Sequence, residues 1–150
     1  MKICFPIGQD SKIWCNYKNS SCYSYALNVF INDRLYVGDL LNKRISCFDS
    51  DEYLIWTMSQ EVSLLGGVLS KCSNEIALTN SEFKICLVRE SVGRRFYHFF
   101  RQEEDGFWSH KMPMELPQFF DGNGNRISDP IKCAERGYDF VSFFKIKKLL

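Results

Sequence analysis

The feature that most constrains the fold is the second half of the chain, where four segments are rich in aromatic and β-branched residues. The segments are 83–90, 94–102, 107–111 and 138–148. Because such residues pack well on a pleated sheet, each segment is predicted to be a β-strand. The first half instead spaces its apolar residues as helices do, over 21–31 and 58–71. Helices followed by strands predict an α+β fold.

Both predicted helices carry start signals. Ser20 and Ser21 precede the first helix as candidate N-caps. Thr57 and Gln60 form the pattern of a capping box at the start of the second helix, although two glycines near its end weaken it. The first predicted helix therefore begins at or next to Cys22.

Chain length, composition and net charge limit the classes of function that this protein can have. With 150 residues, of which 45% are hydrophobic and 25% charged, the chain has the composition of one globular domain over residues 1–150. Nineteen basic residues against eighteen acidic ones give a formal charge of +1, which argues against nucleic acid as a partner. No apolar run approaches the roughly 20 residues that span a bilayer, so we expect a soluble protein with no membrane partner.

Cysteine usage indicates a reducing compartment. The seven cysteines include no close pair such as C-x-x-C, and no signal peptide is recognisable, so the sequence predicts a protein that is cytoplasmic as synthesised. Zinc would require short-spaced Cys and His pairs, so no metal site is predicted. The stretch 121–130 begins like a calcium loop, but Lys132 stands where a glutamate is needed, and an exposed turn is the prediction there.

Cys22 lies at the start of the first predicted helix, in the stretch NYKNSSCYSYALNVF. The thiolate is the reactive form of cysteine, and the unpaired N–H groups of a helix N-terminus favour it by lowering the thiol pKa. Cys22 is therefore a candidate nucleophile. The alternative is a structural core thiol, since free cysteine is among the residue types most often buried.

The chain has only two histidines, His98 and His110, and both fall in one predicted β-hairpin. A three-residue loop at 104–106, with Gly106 in the left-handed conformation, would place His98 opposite Met112. His110 is then the diagonal neighbour of His98 on the same face of the sheet. A loop of another length would shift the register by one residue and separate the rings, leaving them as structural residues.

Cys22, His98 and His110 together supply the three roles of thiol catalysis. His98 would take the proton from the Cys22 thiol, and His110 would hold the His98 ring in the required tautomer. Asp121 and Asp129, in the loop that follows the hairpin, are rival candidates for the orienting role.

Trp108 and the polar residues of the hairpin have two interpretations each. Trp108 lies in the strand that carries His110. A core aromatic residue is the favoured interpretation, and the candidate functional role of Trp108 is substrate binding, as the wall of a groove. Arg101, Gln102 and Lys111 could contact substrate, but solvated strand edges commonly carry such side chains. No role is assigned to these three residues.

The order of a cysteine at a helix start, a histidine in a later strand and a second histidine twelve positions after it resembles the NlpC-type cysteine peptidases of the papain-like superfamily. The stretches SSCYSYALN, YHFFRQ and FWSHK carry this resemblance. The chain also resembles small bacterial proteins that share NCYxYALN near the N-terminus and HxxRQxxDGxWSHKxG…DxxGxxIxDP near the C-terminus. Here these motifs read SCYSYALN, HFFRQEEDGFWSHKMP and DGNGNRISDP, with Ser21 in the place of the usual Asn.

The resemblance implies a papain-like fold in which the nucleophile helix packs on an antiparallel β-sheet, with a Cys-His-His or Cys-His-polar triad and no cofactor. It implies a cysteine hydrolase that cleaves an amide or peptide bond. Fitting substrates are peptidoglycan stem peptides, a host protein backbone or a glutamine side chain, the last two suiting a bacterial effector that a specialised system secretes. The alternatives are a catalytically inert papain-like module that binds a protein, and an interaction protein whose histidines are structural.

Overall fold

The structure, a computed structural model, describes residues 1–4, 11–134 and 137–149. Its α-helices are α1 (Ser11–Trp14), α2 (Cys22–Ala26), α3 (Asp51–Leu64) and α4 (Pro130–Ala134), and its strands are β1 (Gly67–Cys72), β2 (Glu82–Glu90), β3 (Tyr97–Gln102), β4 (Trp108–Ser109) and β5 (Tyr138–Lys148). The protein is thus a mixed helix and strand protein, in agreement with the coarse α+β prediction. Over the described ranges, no helix combines the length and apolarity needed to cross a membrane.

The five strands form an antiparallel sheet in the order β1-β5-β2-β3-β4. Strand side chains alternate between the two faces of a sheet, and the central strand β2 is buried on both. Ile85 and Leu87 belong to one apolar cluster, together with the buried residues of α2 and α3. Cys86 and Val88 belong to a second, smaller cluster. The helix that carries Cys22 therefore packs on the face of the sheet that carries Ile85 and Leu87.

The start of the first predicted helix is confirmed, but its end is not. α2 begins at Cys22, and the hydroxyl of Ser21 caps it by accepting a backbone N–H of the first turn at 3.2 Å. The helix was expected over 21–31 but ends at Ala26, because Asn28 adopts a left-handed φ of 55°. Asparagine tolerates this conformation better than most residues, and it stops the helix after little more than one turn.

The second predicted helix is misplaced. The sequence predicted it over 58–71, whereas α3 begins at Asp51 behind Ser50, whose hydroxyl accepts a backbone N–H of the first turn. Gly66 has a φ of 84° and ends the helix. Residues 67–72 then form strand β1, which pairs with the end of β5. Pairing with a distant strand thus overrides the helical spacing of this segment.

The predicted register of the hairpin is confirmed. β3 and β4 pair Arg101 with Ser109, as the three-residue loop requires. Gly106 has the left-handed φ of 88° that this loop needs at its last position. The register therefore brings His98 and His110 to the same face of the sheet, within contact distance.

Candidate active site

The two histidines form a hydrogen-bonded pair. Nε2 of His98 lies 2.8 Å from Nδ1 of His110, and the ring planes are nearly perpendicular at 84°. Between two neutral rings one nitrogen donates and the other accepts. When Nδ1 of His98 serves as a base, Nε2 of the same ring carries the proton and donates it to His110. His110 then carries its own proton on Nε2, so the hydrogen bond sets both tautomers.

Two aromatic side chains enclose this pair. Tyr138 of β5 stacks on His98 with a centroid distance of 5.8 Å, and Phe100 lies against His110 at 4.7 Å. Burial, assisted by the charge of His110, lowers the pKa of His98 to about 3. Burial also lowers the pKa of His110 to about 4. Both rings are therefore neutral at physiological pH, the state in which an imidazole can accept a proton.

Cys22 is the half-buried first residue of α2. Burial raises the pKa of its thiol to about 11, although hydrogen bonds from backbone N–H groups, including that of Phe99 in β3, and the charge of Lys111 favour the thiolate. The sequence predicted a lowered pKa instead. That prediction is wrong because α2 has only five residues, and the dipole of so short a helix does not offset the desolvation of the sulfur. Cys22 is thus a neutral thiol at rest.

Cys22 and His98 line the same cavity, which has a volume of about 690 Å³. Tyr36, Phe96 and Met112 also line it, and each of these side chains is more than a third exposed. The cavity is large enough for a substrate segment of several non-hydrogen atoms, and its exposed lining adds the charged Asp39, Lys43 and Arg44 to these apolar side chains. The candidate nucleophile and base are therefore both accessible from one binding space.

The cavity wall formed by 36–45 is held by a buried carboxylate. Glu61 of α3 is fully buried and accepts the backbone N–H groups of Gly38 and Leu40 at 2.8 Å each. Gly38 has a φ of 102°, and a Cβ at this position would lie 2.4 Å from the carbonyl oxygen of Lys43. Only glycine fits this turn, so the shape of the wall depends on Gly38 and Glu61 together.

Asp121 and Asp129, the rival orienting residues, have other partners. The Asp121 carboxylate accepts two backbone N–H groups of its own turn at 2.8 and 3.0 Å. Asp129 accepts a backbone N–H at the start of α4 at 2.9 Å. The nitrogen of His98 that an orienting residue would contact is bonded to His110 instead. His110 therefore occupies the third position of the candidate triad.

Trp108 does not line the cavity. It is fully buried in the second apolar cluster, where it packs on Phe143 at a centroid distance of 5.6 Å. The candidate contact of Trp108 with substrate is not available in this arrangement, which agrees with the favoured interpretation of a core residue. The exposed large apolar side chains that line the cavity are instead Tyr36, Phe96 and Met112.

Arg101 and Lys111 are buried rather than solvated, contrary to the strand-edge interpretation. Arg101 donates to the carbonyl of Tyr25 and to the side chain of Asn28 at 3.0 Å each, and it forms an ion pair with Glu103 at 3.2 Å. Sequence reasoning assigned neither residue a role. Both lie in the same motif as the two histidines, and this was the signal that could have identified them.

Tyr138 was also missed as a site residue, because it reaches His98 across β2 from a strand distant in sequence, and no local pattern marks it. In the ranges that the structure describes, no three His, Cys, Asp or Glu side chains gather as ligands of a metal ion would.

No protein-family model matches this chain, and no curated protein or solved structure is significantly similar to it.

Proposed function

We propose that this protein is a papain-like cysteine hydrolase that cleaves an amide or peptide bond. Cys22 is the nucleophile, His98 the base, and His110 the residue that orients His98. The observation that carries the proposal is the 2.8 Å hydrogen bond between the two rings beside a cavity that Cys22 and His98 both line. This bond commits Nε2 of His98 to His110 and leaves Nδ1 to accept the thiol proton.

Acylation begins from a neutral thiol and a neutral imidazole. As Sγ of Cys22 attacks the carbonyl carbon and the S–C bond forms, the thiol proton moves to Nδ1 of His98. Negative charge develops on the carbonyl oxygen, where the backbone N–H of Cys22 stabilises it. His98 then returns the proton to the amide nitrogen as the C–N bond breaks. An amine leaves, and a thioester remains on Cys22.

Hydrolysis of the thioester repeats the proton transfers with water. His98 takes a proton from water as the oxygen attacks the thioester carbon, and it returns this proton to sulfur as the C–S bond breaks. A carboxylic acid is released and Cys22 regains its thiol. His110 keeps its proton throughout and contributes the position and tautomer of His98.

The substrate in this proposal is a peptide or a protein. A peptidoglycan stem peptide, a host protein backbone and a glutamine side chain all present a carbonyl carbon bonded to nitrogen, and the last two suit a secreted bacterial effector. Ammonia released from a glutamine-containing peptide would indicate deamidation, whereas a new amino terminus would indicate peptide cleavage.

A second candidate is a catalytically inert papain-like module that binds a protein segment in the cavity. The observation that favours it is the thiol pKa of about 11 beside an imidazole pKa of about 3, because no thiolate and imidazolium pair then forms at rest. Binding in the same cavity would need no proton transfer from Cys22 to His98.

Acetylation with p-nitrophenyl acetate separates the two candidates. In a hydrolase, mass mapping places the acetyl group on Cys22, and nitrophenol release continues beyond one equivalent as water removes it. Because His98 is neutral well below pH 5, Cys22 should react at a nearly constant rate between pH 5 and 7. A thiol that reacts only as the thiolate slows about tenfold for each pH unit in this range.

Cys47 is the matched control thiol, because it is also half-buried but does not line the cavity. The acetylation rate of Cys47 should fall about tenfold for each unit by which the pH is lowered between 7 and 5. If Cys22 follows the same dependence as Cys47, or is not acetylated at all, the binding module is the better description.

A further inference from the structure

Lys111 is a fully buried ammonium that forms no hydrogen-bonded ion pair with an acid of the described residues. Its Nζ donates to the backbone carbonyls of Lys18 and Ser20 at 2.7 Å each and to that of Met112 at 3.2 Å. These three acceptors match the three protons of the ammonium, and all of them are uncharged. None of the ion pairs formed by the described residues includes Lys111. Its hydrogen bonds therefore all go to peptide dipoles, and the charge of Glu115 acts on it without a hydrogen bond.

The carbonyls that Lys111 binds belong to the chain on both sides of the candidate site. Lys18 and Ser20 lie in the segment that leads into α2 and Cys22. Lys111 itself directly follows His110, whose ring contacts His98. One side chain thus connects the approach to the nucleophile with the segment that carries the orienting histidine.

The charge of Lys111 also acts on the sulfur. It favours the thiolate of Cys22 and partly opposes the effect of burial. Burial lowers the pKa of Lys111 to about 8. The Cys22 thiolate opposes this effect, because its negative charge favours the charged form of the lysine. Lys111 is therefore still mainly charged at neutral pH and is the cation that acts on Cys22.

We propose that Lys111 is a positioning residue of this site, whose buried ammonium holds the segment before Cys22 and stabilises the negative charge that develops when the sulfur loses its proton. This inference rests on the proposed function, because a charge near Cys22 matters to catalysis only if Cys22 reacts. It extends the candidate triad by a fourth group that contacts none of the reacting atoms through a hydrogen bond.

The test compares the alkylation of Cys22 by iodoacetate, which is negatively charged, and by iodoacetamide, which is neutral, at pH 7. Lys111→Met removes the charge and keeps most of the side-chain volume. We expect the ratio of the iodoacetate rate to the iodoacetamide rate at Cys22 to fall by roughly threefold to tenfold in this variant. A purely structural lysine would change both rates together and leave the ratio unchanged. Lys111→Arg keeps the charge and should keep the ratio.

Lys84→Met is the matched control. Lys84 is 3% exposed and donates to the backbone carbonyls of Asn74 and Ile76, so its removal also takes away a buried ammonium that peptide dipoles solvate. This variant should melt at a lower temperature and yet keep the wild-type ratio at Cys22. Lys111→Gln, whose amide can still donate to two carbonyls, replaces Lys111→Met in the test if the methionine variant does not fold.

The outcomes distinguish this inference from the proposed function. A wild-type ratio in the neutral variants, with Cys22 still reactive, overturns the role of Lys111 and leaves the hydrolase proposal intact. A Cys22 that neither reagent modifies in the folded wild-type protein overturns both. A lowered ratio in the Lys111 variants alone supports the inference.

Discussion

Two links join α2 to the β3–β4 hairpin, and they differ in charge. At the start of α2, Cys22 lines one cavity with His98, which is hydrogen-bonded to His110, and the lowered pKa values of the two histidines keep both rings neutral. At the end of α2, the ion pair of Arg101 and Glu103 holds the last turn, with both side chains at most 1% exposed. The neutral link borders a binding space, whereas the charged link is enclosed in the core.

The difference shows how one hairpin can both fix a helix and present reactive groups. Oε1 of Glu103 accepts hydrogen bonds from Arg101, Ser109 and Tyr25, so the charged link has one well-defined arrangement. Two neutral imidazoles share a single hydrogen bond, and a proton can be added to the outer nitrogen without breaking it. In the proposed function, rigid positioning and proton transfer are thus divided between the two ends of α2.

The largest effect is expected from His98→Ala. Removing the proposed base should reduce the acetylation of Cys22 by about 10⁴-fold or more, because a thiol with a pKa of about 11 is almost entirely protonated and depends on His98 to take its proton. Acetylation of Cys47 in the same sample is the control and should not change. Unchanged acetylation of Cys22 in a folded His98→Ala protein would remove His98 from the mechanism.

His110→Ala should have the next largest effect, a loss of between about 10² and 10⁴ in Cys22 acetylation, because the His98 ring loses the partner that sets its tautomer. His110→Asn can still accept the ring N–H, so it should recover part of the rate. This partial rescue separates an orienting residue from a structural one. Equal rates in the alanine and asparagine variants would contradict the orienting role.

At the charged link, Arg101→Met is expected to lower the free energy of unfolding by about 3 to 5 kcal/mol, because it leaves the Glu103 carboxylate buried without its partner. Urea denaturation measures this loss. The double variant Arg101→Met with Glu103→Leu removes both charges and should be more stable than the single variant. A single variant as stable as the wild-type protein would show that the ion pair does not hold α2.

The smallest effect is on the pH dependence of stability. The pKa values of His98 and His110 lie below the ordinary value of 6.5, so between about pH 4 and 6.5 the unfolded chain binds more protons than the folded one. The free energy of unfolding should therefore rise with pH in this range, by up to about 1.4 kcal/mol per pH unit for each histidine, and level off above it. Urea denaturation at several pH values measures the slope.

His110→Asn keeps only one of the two histidines. Its free energy of unfolding should therefore rise less steeply with pH than that of the wild-type protein. Ser50→Ala, which removes the cap of α3 but no titratable side chain, is a control that lowers stability at every pH by a similar amount. A His110→Asn slope equal to that of the wild-type protein would mean that His110 does not titrate on unfolding.

The sequence alone determined the features that depend on neighbouring residues. Gly106 and the three-residue loop set the hairpin register, which in turn brings His98 and His110 together. Ser21 set the start of α2 at Cys22 through a local hydrogen bond. These features could be predicted because turn geometry and helix capping act over only a few residues.

The tertiary structure alone decided the features that depend on distant segments. The strand over 67–72 forms because β5 pairs with it, although its local spacing is helical. The Cys22 thiol is neutral, and Trp108 and Lys111 are enclosed, because elements far apart in the chain remove water from them. Desolvation is a property of the packed molecule, so no local pattern in the sequence could reveal which reactive or charged groups it would act on.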